Sequence, residues 1–292
     1  MNSSVEGRFR IAGAVVLYNP KRDVVGNIVS YLRDLDILYA VDNSERPDRE
    51  TVGHILQLNE KVVYLSKGEN LGVATALNTA AREAIKGNCH FLLTMDQDSR
   101  AAEGMIGNML ECLEGRDLDR VAIVSPFHSL FAGSGGDDAP SCQEVPFVMT
   151  SGNLLNLSAY LQVGPYLDKL FIDCIDYDYC LRILGCGLTI VRANRAVLHH
   201  ALGDIKSFKI LHKTITTSNH SPLRRYYNTR NRFYIWETYG SVAQDFVRED
   251  RRKFFGEIRN VLLGEKDKLG KMKMMIRGYL DYRRGRFGKY GE

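Results

Sequence analysis

The amino-acid sequence predicts an α/β protein with a mostly parallel, Rossmann-like sheet and a helical C-terminal extension. Short apolar runs rich in valine and isoleucine recur about every 25 to 30 residues in the first half of the chain. Longer mixed segments separate these runs, which is the pattern of strand-helix-strand units. After about residue 205 the rhythm stops and basic residues become frequent. We therefore predict an α/β domain at 1–205 and a basic, mainly helical extension at 206–292.

Each apolar run in the first half has the length and composition of a strand buried on both faces. The predicted strands are 11–17, 38–41, 62–65, 91–95 and 121–125. Predicted helices alternate with them near 21–34, 48–59, 71–86 and 101–114. Farther along, the patterns predict a strand at 144–152, a helix at 176–184 ended by Gly185 and Gly187, and an extended segment at 188–198.

Charge is unevenly distributed along the 292 residues, although the whole chain has a formal net charge of only +4. Residues 224–292 hold 18 Lys and Arg against 9 Asp and Glu, whereas residues 1–223 have a net charge of −5. Val247, Phe254 and Val261 recur at helical spacing in the basic region. This spacing predicts an amphipathic basic helix.

Composition also argues against several classes of protein. The small net charge and the acidic first part of the chain disfavour a nucleic-acid-binding protein. No apolar run reaches the ~18 residues of a membrane-spanning helix, and the first ten residues lack the pattern of a signal peptide, so we expect a cytosolic protein. The six cysteines form no C-x2-C pair. We interpret them as small buried side chains and expect neither a disulfide nor a zinc site.

Two carboxylates, Asp96 and Asp98, follow the predicted strand at 91–95. Residues two apart in an extended segment point to the same side, so these side chains converge unless the chain turns between them. Two anions so close require a cation, and Mg²⁺ or Mn²⁺ accepts carboxylate ligands while leaving positions for phosphate oxygens. Ligands of open α/β sheets lie beyond the carboxyl ends of the strands, where we expect this pair. The alternative is a solvated Asp-x-Asp turn.

A second acidic group comprises Asp173, Asp176 and Asp178, at the expected start of a helix. Asp178 precedes Arg182 by four residues, the spacing of a structural ion pair along a helix. Asp176 lies among apolar and aromatic neighbours, a setting in which a carboxylate can accept a proton from a substrate. Its alternative role is to cap the helix.

Two imidazoles, His199 and His200, follow the predicted extended segment. Neutral imidazole is a ligand for Mn²⁺ and other transition metals, so one of them could complete a site begun by the acidic pair. The alternative is a pair of histidines that face solvent or find partners in the core.

Seven motifs occur in the order and approximate spacing of family-2 glycosyltransferases, and the chain resembles that family over roughly residues 10–235. The motifs are VLYNP at 16–20, VDNS at 41–44, NLG at 70–72 with ALN at 76–78, DQD at 96–98, SGNL at 151–154, DYDYCLR at 176–182 and HH at 199–200. RYY at 225–227 with RN at 230–231 also resembles a segment of this group. Within the family, the chain resembles the bacterial rhamnosyltransferases that use dTDP-L-rhamnose.

The resemblance implies a GT-A nucleotide-sugar fold and assigns the donor nucleotide to a set of motif residues. Asn19 and Asp42 would line the base and ribose pocket. Asn70 and Gly72 would lie near the nucleotide, and Asp96 would approach both ribose and metal. For Asn78, in the same stretch of motifs, we favour a packing role.

The resemblance also implies roles at the reacting end of the donor. Asp98 would be the main ligand of Mg²⁺ or Mn²⁺, with His199 as a further ligand, and Asp176 would be the catalytic base. The vicinity of the acceptor or diphosphate would comprise Ser151, Gly152, Asp173, Arg225 and Arg230. Many relatives have Glu before the catalytic Asp, whereas this chain has Ile175. The base would then be tuned by desolvation, and Asp173 becomes a rival for the role.

An inverting, metal-dependent transfer from a dTDP-sugar to a lipid-linked or saccharide acceptor is the reaction that the resemblance implies. Galactofuranose, glucose and N-acetylglucosamine are alternative sugars, and a non-catalytic nucleotide- or nucleic-acid-binding module is the alternative of another class. The basic extension suits the anionic inner face of the cytoplasmic membrane. Phe233, Tyr234 and Trp236 would either enter that interface or form part of a core.

Overall fold

A computed structural model describes residues 9–129, 140–200, 206–210, 213–217 and 219–291. The chain forms two compact units. The first contains the described residues of Met1–Asp168 and Ile175–Ala201, and the second contains Lys169–Cys174 with the described residues of Leu202–Glu292. The predicted domain boundary after residue 205 adjoins undescribed residues and stays a prediction.

The first unit contains strands and helices in alternation, and the second is built mainly from helices. Its strands are β1 (Ile11–Leu17), β2 (Ile37–Asp42), β3 (Val62–Ser66), β4 (Phe91–Asp96), β5 (Ser99–Ala101), β6 (Val121–Ser129), β7 (Cys142–Glu144), β8 (Asn153–Asn156) and β9 (Thr189–His200). Its helices are α1 (Val24–Leu32), α2 (Arg49–Leu56), α3 (Val73–Lys86), α4 (Met105–Glu111), α5 (Leu157–Val163) and α6 (Ile175–Gly185). The second unit contains β10 (Lys206–Ile210), β11 (Lys213–Thr217), α7 (Pro222–Tyr239), α8 (Gln244–Gly264) and α9 (Lys268–Arg283).

The sheet of the first unit has the order β3-β2-β1-β4-β8-β6-β9-β5, and β7 pairs with β9. The strands β3, β2, β1 and β4 are parallel, and all seven residues of β1 are buried. Burial on both faces explains why these strands are continuous apolar runs. The expected α/β class is therefore confirmed, with C-terminal helices following the sheet. The other strands make this a mixed sheet, because β8 is antiparallel to both β4 and β6.

One strand prediction is wrong. The segment 145–152 is not a strand; β7 ends at Glu144 and β8 begins at Asn153. Pro146 has no N–H group for a strand ladder, and Gly152 has a φ of 85°, which turns the chain between the two strands. After residue 205 the chain is mainly helical, and it also contains one antiparallel hairpin formed by β10 and β11.

The prediction that the cysteines form no disulfide is also corrected. Cys112 and Cys142 are bonded, and they join the end of α4 to the start of β7 across 30 residues of sequence. Spacing gave no sign of this pair, because the fold brings the two Cα atoms within 5.6 Å of each other. Cys89, Cys174 and Cys180 are buried, as expected, whereas Cys186 is exposed.

The second unit has its own small apolar core, in which Trp236 packs with Val247, Phe254 and Met275. Phe233 packs partly buried against this core, so the core alternative for the aromatic cluster is confirmed for Trp236 and Phe233. The predicted amphipathic helix is α8, whose buried side includes Val247, Phe254 and Val261. In the part of the chain that the structure describes, no helix combines the length and the apolar character needed to cross a membrane.

Candidate active site

The parallel strands bring three of the predicted site residues to one edge of the sheet. Asp42 ends β2 and is the register partner of Leu17, the last residue of β1. Asp96 ends β4 and pairs in register with Val16. Asn19 follows β1 by two residues, so all three lie beyond carboxyl ends of adjacent strands, where ligands of open α/β sheets bind.

Hydrogen bonds connect the loops that follow these strands. The backbone N–H of Asn19, which has a φ of 44°, donates to Oγ of Ser44 at 2.7 Å. The backbone N–H of Tyr18 donates to Oε1 of Gln97 at 2.9 Å, and the amide of Gln97 donates back to the carbonyl of Tyr18. The loop after β1 is thus fixed to the loop after β2 on one side and to the acidic turn on the other.

Asn43 is a buried residue that sequence reasoning missed. Its backbone N–H donates to the Leu17 carbonyl at 2.8 Å, and its side-chain amide donates to the Gly72 carbonyl at 3.0 Å. Oδ1 of Asn70 accepts from the N–H of Gly72, whose φ is 87°. Asn70 and Gly72 therefore shape the turn into α3, and Asn43 joins that turn to the end of β2. The sequence feature that could have indicated this role is the position of Asn43 directly after Asp42, at the end of β2.

A cavity of about 270 Å³ lies at the ends of β2 and β3 and beside the start of α3. Its lining includes Asp42, Tyr64, Lys67 and Leu71. The Asp42 carboxylate accepts from the Tyr64 hydroxyl at 2.7 Å through Oδ2 and from the N–H of Ser44 at 2.8 Å through Oδ1. Burial, and then the hydrogen bond to Asp42, raise the pKa of Tyr64 to about 12. The Tyr64 hydroxyl thus stays protonated and donates to Asp42 beside the cavity. The sequence did not reveal this role, because Tyr64 lies in the apolar run that forms β3.

The acidic turn after β4 is held by Ser151. Oγ of Ser151 accepts from the backbone N–H of Asp96 at 3.0 Å and donates to Oγ of Ser99 at 2.8 Å. The carbonyl of Ser151 bonds Nε2 of His128 at 2.8 Å. Ser151 is itself buried, so its hydroxyl sets the position of the turn from within the fold.

Gly152 permits this arrangement. Its φ of 85° lies in the region that favours glycine, and an added Cβ would lie 2.6 Å from Cγ of Pro126 and 2.8 Å from Cδ2 of Leu198. Its N–H donates to the carbonyl of Thr94 at 2.6 Å. The structure thus favours a supporting role for Ser151 and Gly152 behind the acidic turn over direct contact with acceptor or diphosphate.

The donor atoms at this turn suit a divalent cation chemically. Asp96 is partly exposed and Asp98 is exposed. His199 is also exposed and is the register partner of Arg100, two residues after Asp98. Carboxylates with one imidazole suit Mg²⁺ or Mn²⁺, whose remaining positions are open to substrate oxygens. Over the described residues, no cluster of three or more His, Cys, Asp or Glu side chains is arranged to hold a metal. The side chain of His200 lies outside the described part.

Asp176 and Asp178 have different surroundings in the first turn of α6. Asp178 is fully buried and pairs with Arg182 at 2.9 Å, which confirms the predicted ion pair. Asp176 is only partly buried, and its Oδ1 accepts from the N–H of Tyr177 at 2.9 Å. Asp176 is thus the carboxylate of the two that a substrate can reach.

Asp173 lies outside α6, in the segment Lys169–Cys174 of the second unit. Its φ is 68°, and its carboxylate accepts from Nε of Arg224 at 2.6 Å. The side-chain amide of Asn231 donates to the carbonyls of Leu170, Ile172 and Asp173. These contacts give Asp173 a structural partner, and they favour Asp176 as the base.

Arg225 and Arg230 are buried within the second unit. Arg225 pairs with Glu257 at 3.0 Å and with Glu265 at 2.7 Å. Arg230 donates to Oδ1 of Asn231 and to the carbonyl of Gly288. Neither guanidinium faces solvent, so the structure favours a structural role for both over the predicted contact with diphosphate or acceptor.

Asn78 has the packing role that we favoured. Its amide donates to the carbonyl of Tyr166 and to Asp168, and its Oδ1 accepts from the hydroxyl of Tyr160. All four hydrogen-bonding contacts of this buried side chain, including the N–H of Tyr166, lie within the first unit.

Comparison with known proteins identifies a similar family and a similar protein. Residues 15–131 match the family described as glycosyl transferase family 2. Over that range the chain is similar to this family. The chain is 28% identical to the dTDP-rhamnosyl transferase RfbF of Shigella flexneri, over 94% of its own length and 96% of that protein.

Two solved structures show that the chain has the GT-A fold. A crystal structure of GalNAc-T7 with UDP, GalNAc and Mn²⁺ aligns with a TM-score of 0.64 and 12% identity, over 96% of this chain and 56% of the GalNAc-T7 chain. S. aureus TarS in complex with UDP-GlcNAc aligns with a TM-score of 0.62 and 13% identity, over 95% of this chain and 81% of the TarS chain. This chain thus spans little more than half of the GalNAc-T7 chain.

Proposed function

We propose that the transferase moves L-rhamnose from dTDP-L-rhamnose to a lipid-linked or saccharide acceptor, with inversion at the anomeric carbon. The observation that carries the proposal is the cavity bordered by Asp42, at the same carboxyl edge of the parallel strands as the acidic turn. The near full-length similarity to a protein named dTDP-rhamnosyl transferase supports rhamnose as the sugar. Galactofuranose, glucose and N-acetylglucosamine remain the alternatives that a donor screen distinguishes.

The donor nucleotide would bind with its base in the cavity between β3 and α3. A carboxylate such as Asp42 accepts from the ring N–H of thymine, and the Tyr64 hydroxyl holds it in place at 2.7 Å. Asn19 lies on the exposed rim of the same edge, where it would contact the ribose. Asn70 and Gly72 would act through the turn that enters α3.

Asp96 and Asp98 would hold Mg²⁺ or Mn²⁺ beside the diphosphate, with His199 as a further ligand. Such an ion, when bound, would offset the negative charge that develops on the leaving diphosphate. Ser151 would act on this group indirectly, since its hydroxyl fixes the backbone at Asp96.

Asp176 would be the catalytic base. Its carboxylate would take the proton from the acceptor hydroxyl while that oxygen forms a bond to the anomeric carbon. The bond between the anomeric carbon and the diphosphate oxygen breaks on the opposite face, and its electron pair leaves with dTDP. One displacement of this kind inverts the configuration, and a positioned base typically contributes about 10²–10⁴-fold to the rate.

The charge of the chain supports the proposed acceptor and location. Residues 224–292 carry 18 Lys and Arg against 9 Asp and Glu, which suits the anionic inner face of a cytoplasmic membrane. Lipid-linked sugars of bacterial cell-surface polysaccharides, such as O-antigen or cell-wall glycans, are assembled at such a surface. We therefore propose a peripheral location there for the transferase.

A donor screen tests the proposal directly. The purified full chain is incubated with Mg²⁺ or Mn²⁺ and a panel of dTDP-, UDP- and GDP-sugars, and release of nucleoside diphosphate and thermal stabilisation are measured. We expect dTDP-L-rhamnose to give the largest stabilisation and the fastest release. Stabilisation by a UDP-sugar alone would overturn the choice of donor while leaving the family assignment intact.

A further inference from the structure

The second unit exposes several large apolar side chains. Leu269 is 87% exposed and Phe255 is 64% exposed. Others are Leu262 and Leu263 in α8 and Ile276 and Leu280 in α9. Large apolar side chains grouped on an exposed face mark an interaction surface more often than chance placement does.

Basic and apolar residues alternate along the outer face of α8. Arg248, Arg252, Phe255, Arg259 and Leu262 are exposed and lie at intervals of three or four residues, so they form one stripe along the helix. The opposite side of α8 supplies the buried residues of the helix. The outer stripe therefore contacts either solvent or a binding partner.

The outer face of α9 has the same pattern. Leu269, Lys273, Ile276 and Leu280 are exposed at intervals of three or four residues. Between the two stripes, the connection from α8 to α9 adds exposed Lys266, and α9 begins with exposed Lys268 next to exposed Leu269. A single continuous stretch of chain thus presents leucine and lysine side by side.

Acidic residues offset only part of the surface charge of this region. Ion pairs join Arg248 to Asp245, Lys253 to Glu249 and Arg277 to Asp281. Glu265 and Asp281 are buried. Glu257 pairs with Arg225 and Arg232, and the side chain of Asp267 caps α9. The exposed basic residues between 251 and 286 are Arg251, Arg252, Lys253, Arg259, Lys266, Lys268, Lys273, Arg277, Arg283, Arg284 and Arg286.

We propose that the outer faces of α8 and α9 and the turn between them form a docking face for an anionic lipid bilayer. Phe255, Leu262, Leu263, Leu269 and Ile276 enter the interfacial layer, and the neighbouring lysines and arginines contact lipid phosphates. The inference rests on the proposed function only in its choice of a membrane as the place of the acceptor. It assigns the anchor to these side chains instead of Trp236, which is buried.

A bilayer fits this face better than a second copy of the chain does. In a two-fold dimer the same basic surface would meet itself, and like charges would repel. An anionic headgroup layer complements the charge, and its acyl region accepts the apolar side chains.

Vesicle sedimentation tests the proposal with the full-length chain. Vesicles of phosphatidylcholine alone are compared with vesicles of equal parts phosphatidylcholine and phosphatidylglycerol, at low and high salt. We expect binding to the anionic vesicles, a large loss at high salt, and a residual bound fraction from the apolar side chains. Equal binding to both vesicle types, or none to either, would overturn the proposal.

Two sets of substitutions separate charge from apolar insertion. Combined Arg252→Gln, Arg259→Gln, Lys266→Gln and Lys268→Gln should weaken binding about 10²-fold or more, since each basic residue contributes about fivefold. Combined Leu262→Ser, Leu263→Ser and Leu269→Ser should weaken it about tenfold and make the remainder fully releasable by salt.

Matched substitutions on the first unit serve as controls. Val29→Ser, Leu56→Ser and Leu161→Ser replace equally exposed apolar residues. Arg33→Gln, Arg49→Gln, Lys86→Gln and Arg120→Gln replace equally exposed basic residues. Both control sets should bind vesicles within about twofold of the wild type. If they lose binding as much as the α8–α9 variants do, the docking face is wrongly placed. Thermal melting of each variant confirms that it is folded.

Transfer to a water-soluble acceptor separates this inference from the proposed function. The docking face is supported if the α8–α9 variants lose vesicle binding but transfer the sugar to the water-soluble acceptor at the wild-type rate. Vesicle binding without any use of dTDP-L-rhamnose overturns the proposed donor only. A wild-type dimer that the leucine variants convert to monomers, with no vesicle binding, would show that a second copy covers this face and would overturn the inference.

Discussion

Charged residues are held differently at the carboxyl edge of the first unit and in the interior of the second unit. At the carboxyl edge of the first unit, neutral partners hold the acidic groups: Tyr64 bonds Asp42, and Ser151 bonds the backbone of Asp96. In the second unit, charged groups bond each other, and Arg225 is enclosed by Glu257 and Glu265. Although burial acts against it, hydrogen bonds from Lys271 and Thr217 hold the pKa of Glu265 below its ordinary value.

The comparison teaches how to distinguish a functional charge from a structural one. A carboxylate fixed by hydroxyl and backbone groups keeps its negative charge available to a ligand. In an ion pair buried inside a unit, each charge is neutralised by its partner. Removal of one partner leaves the other as an uncompensated buried ion. Arg225 and Asp96 both lie in family motifs, so the motif alone does not separate these cases.

The largest effect should come from Asp176→Asn. The substitution removes the proposed proton acceptor and should lower kcat by about 10²–10⁴-fold while dTDP-sugar binding stays near the wild-type value. Transfer is measured as dTDP release with saturating acceptor, and binding by calorimetry. Asp178→Asn is the matched comparison, since it breaks a buried pair with Arg182 and should lower Tm. Near-normal turnover of Asp176→Asn would disprove the base assignment.

Arg225→Ala should act on stability instead. It leaves the buried Glu265 without its partner and should cost about 3–5 kcal/mol of unfolding free energy. Urea denaturation measures this, and Arg248→Ala, at an exposed pair with Asp245, should cost under about 0.5 kcal/mol.

The buried carboxylate of Glu265, with its hydrogen bonds from Lys271 and Thr217, makes the second unit sensitive to acid. The lowered pKa of Glu265 contributes stability that is present above the ordinary carboxyl pKa and is lost as pH falls through the lowered value. If Arg225→Ala has the Tm of the wild type but binds the donor more weakly, the guanidinium contacts the ligand and its assignment as a structural charge is wrong.

Ser151→Ala should affect both the fold and the site at an intermediate level. It leaves the N–H of Asp96 without this acceptor and should destabilise the protein by about 1–3 kcal/mol. Because the acidic turn loosens, we expect the Mn²⁺ concentration for half-maximal activity to rise about tenfold. The control is Ser158→Ala, at an exposed hydroxyl. An unchanged metal requirement would remove Ser151 from the support of the turn.

Tyr64→Phe should give the smallest effect. It removes one hydrogen bond to Asp42, worth about 0.5–1.5 kcal/mol, so dTDP should bind up to about tenfold more weakly. Since the folded pKa of Tyr64 is raised from 10.0 to about 12, its contribution to stability is complete below pH 10 and is lost as pH rises toward 12. Tyr290→Phe, the same change in the second unit, should leave dTDP affinity unchanged, and equal losses in both variants would contradict the assignment.

Local patterns were sufficient for most of the first four strand-helix units. The apolar run 11–17 is β1 without any shift, because a strand buried on both faces must be apolar throughout. Asp178 and Arg182 were paired correctly because four residues along a helix fix their separation. The strand expected at 144–152 failed because an apolar composition does not report the turn at Gly152.

The sequence by itself determined the α/β class, the family motifs, the acidic turn, the pair Asp178–Arg182 and the polarity of charge between the two ends of the chain. Each of these depends on composition or on short spacings, which the backbone geometry of a helix or strand converts directly into position. Only the tertiary structure decided that Asp173 pairs with Arg224, that Tyr64 supports Asp42, and that Arg225 is buried whereas Leu269 is exposed. Burial and partners depend on contacts between residues far apart in sequence, and no local spacing encodes those contacts.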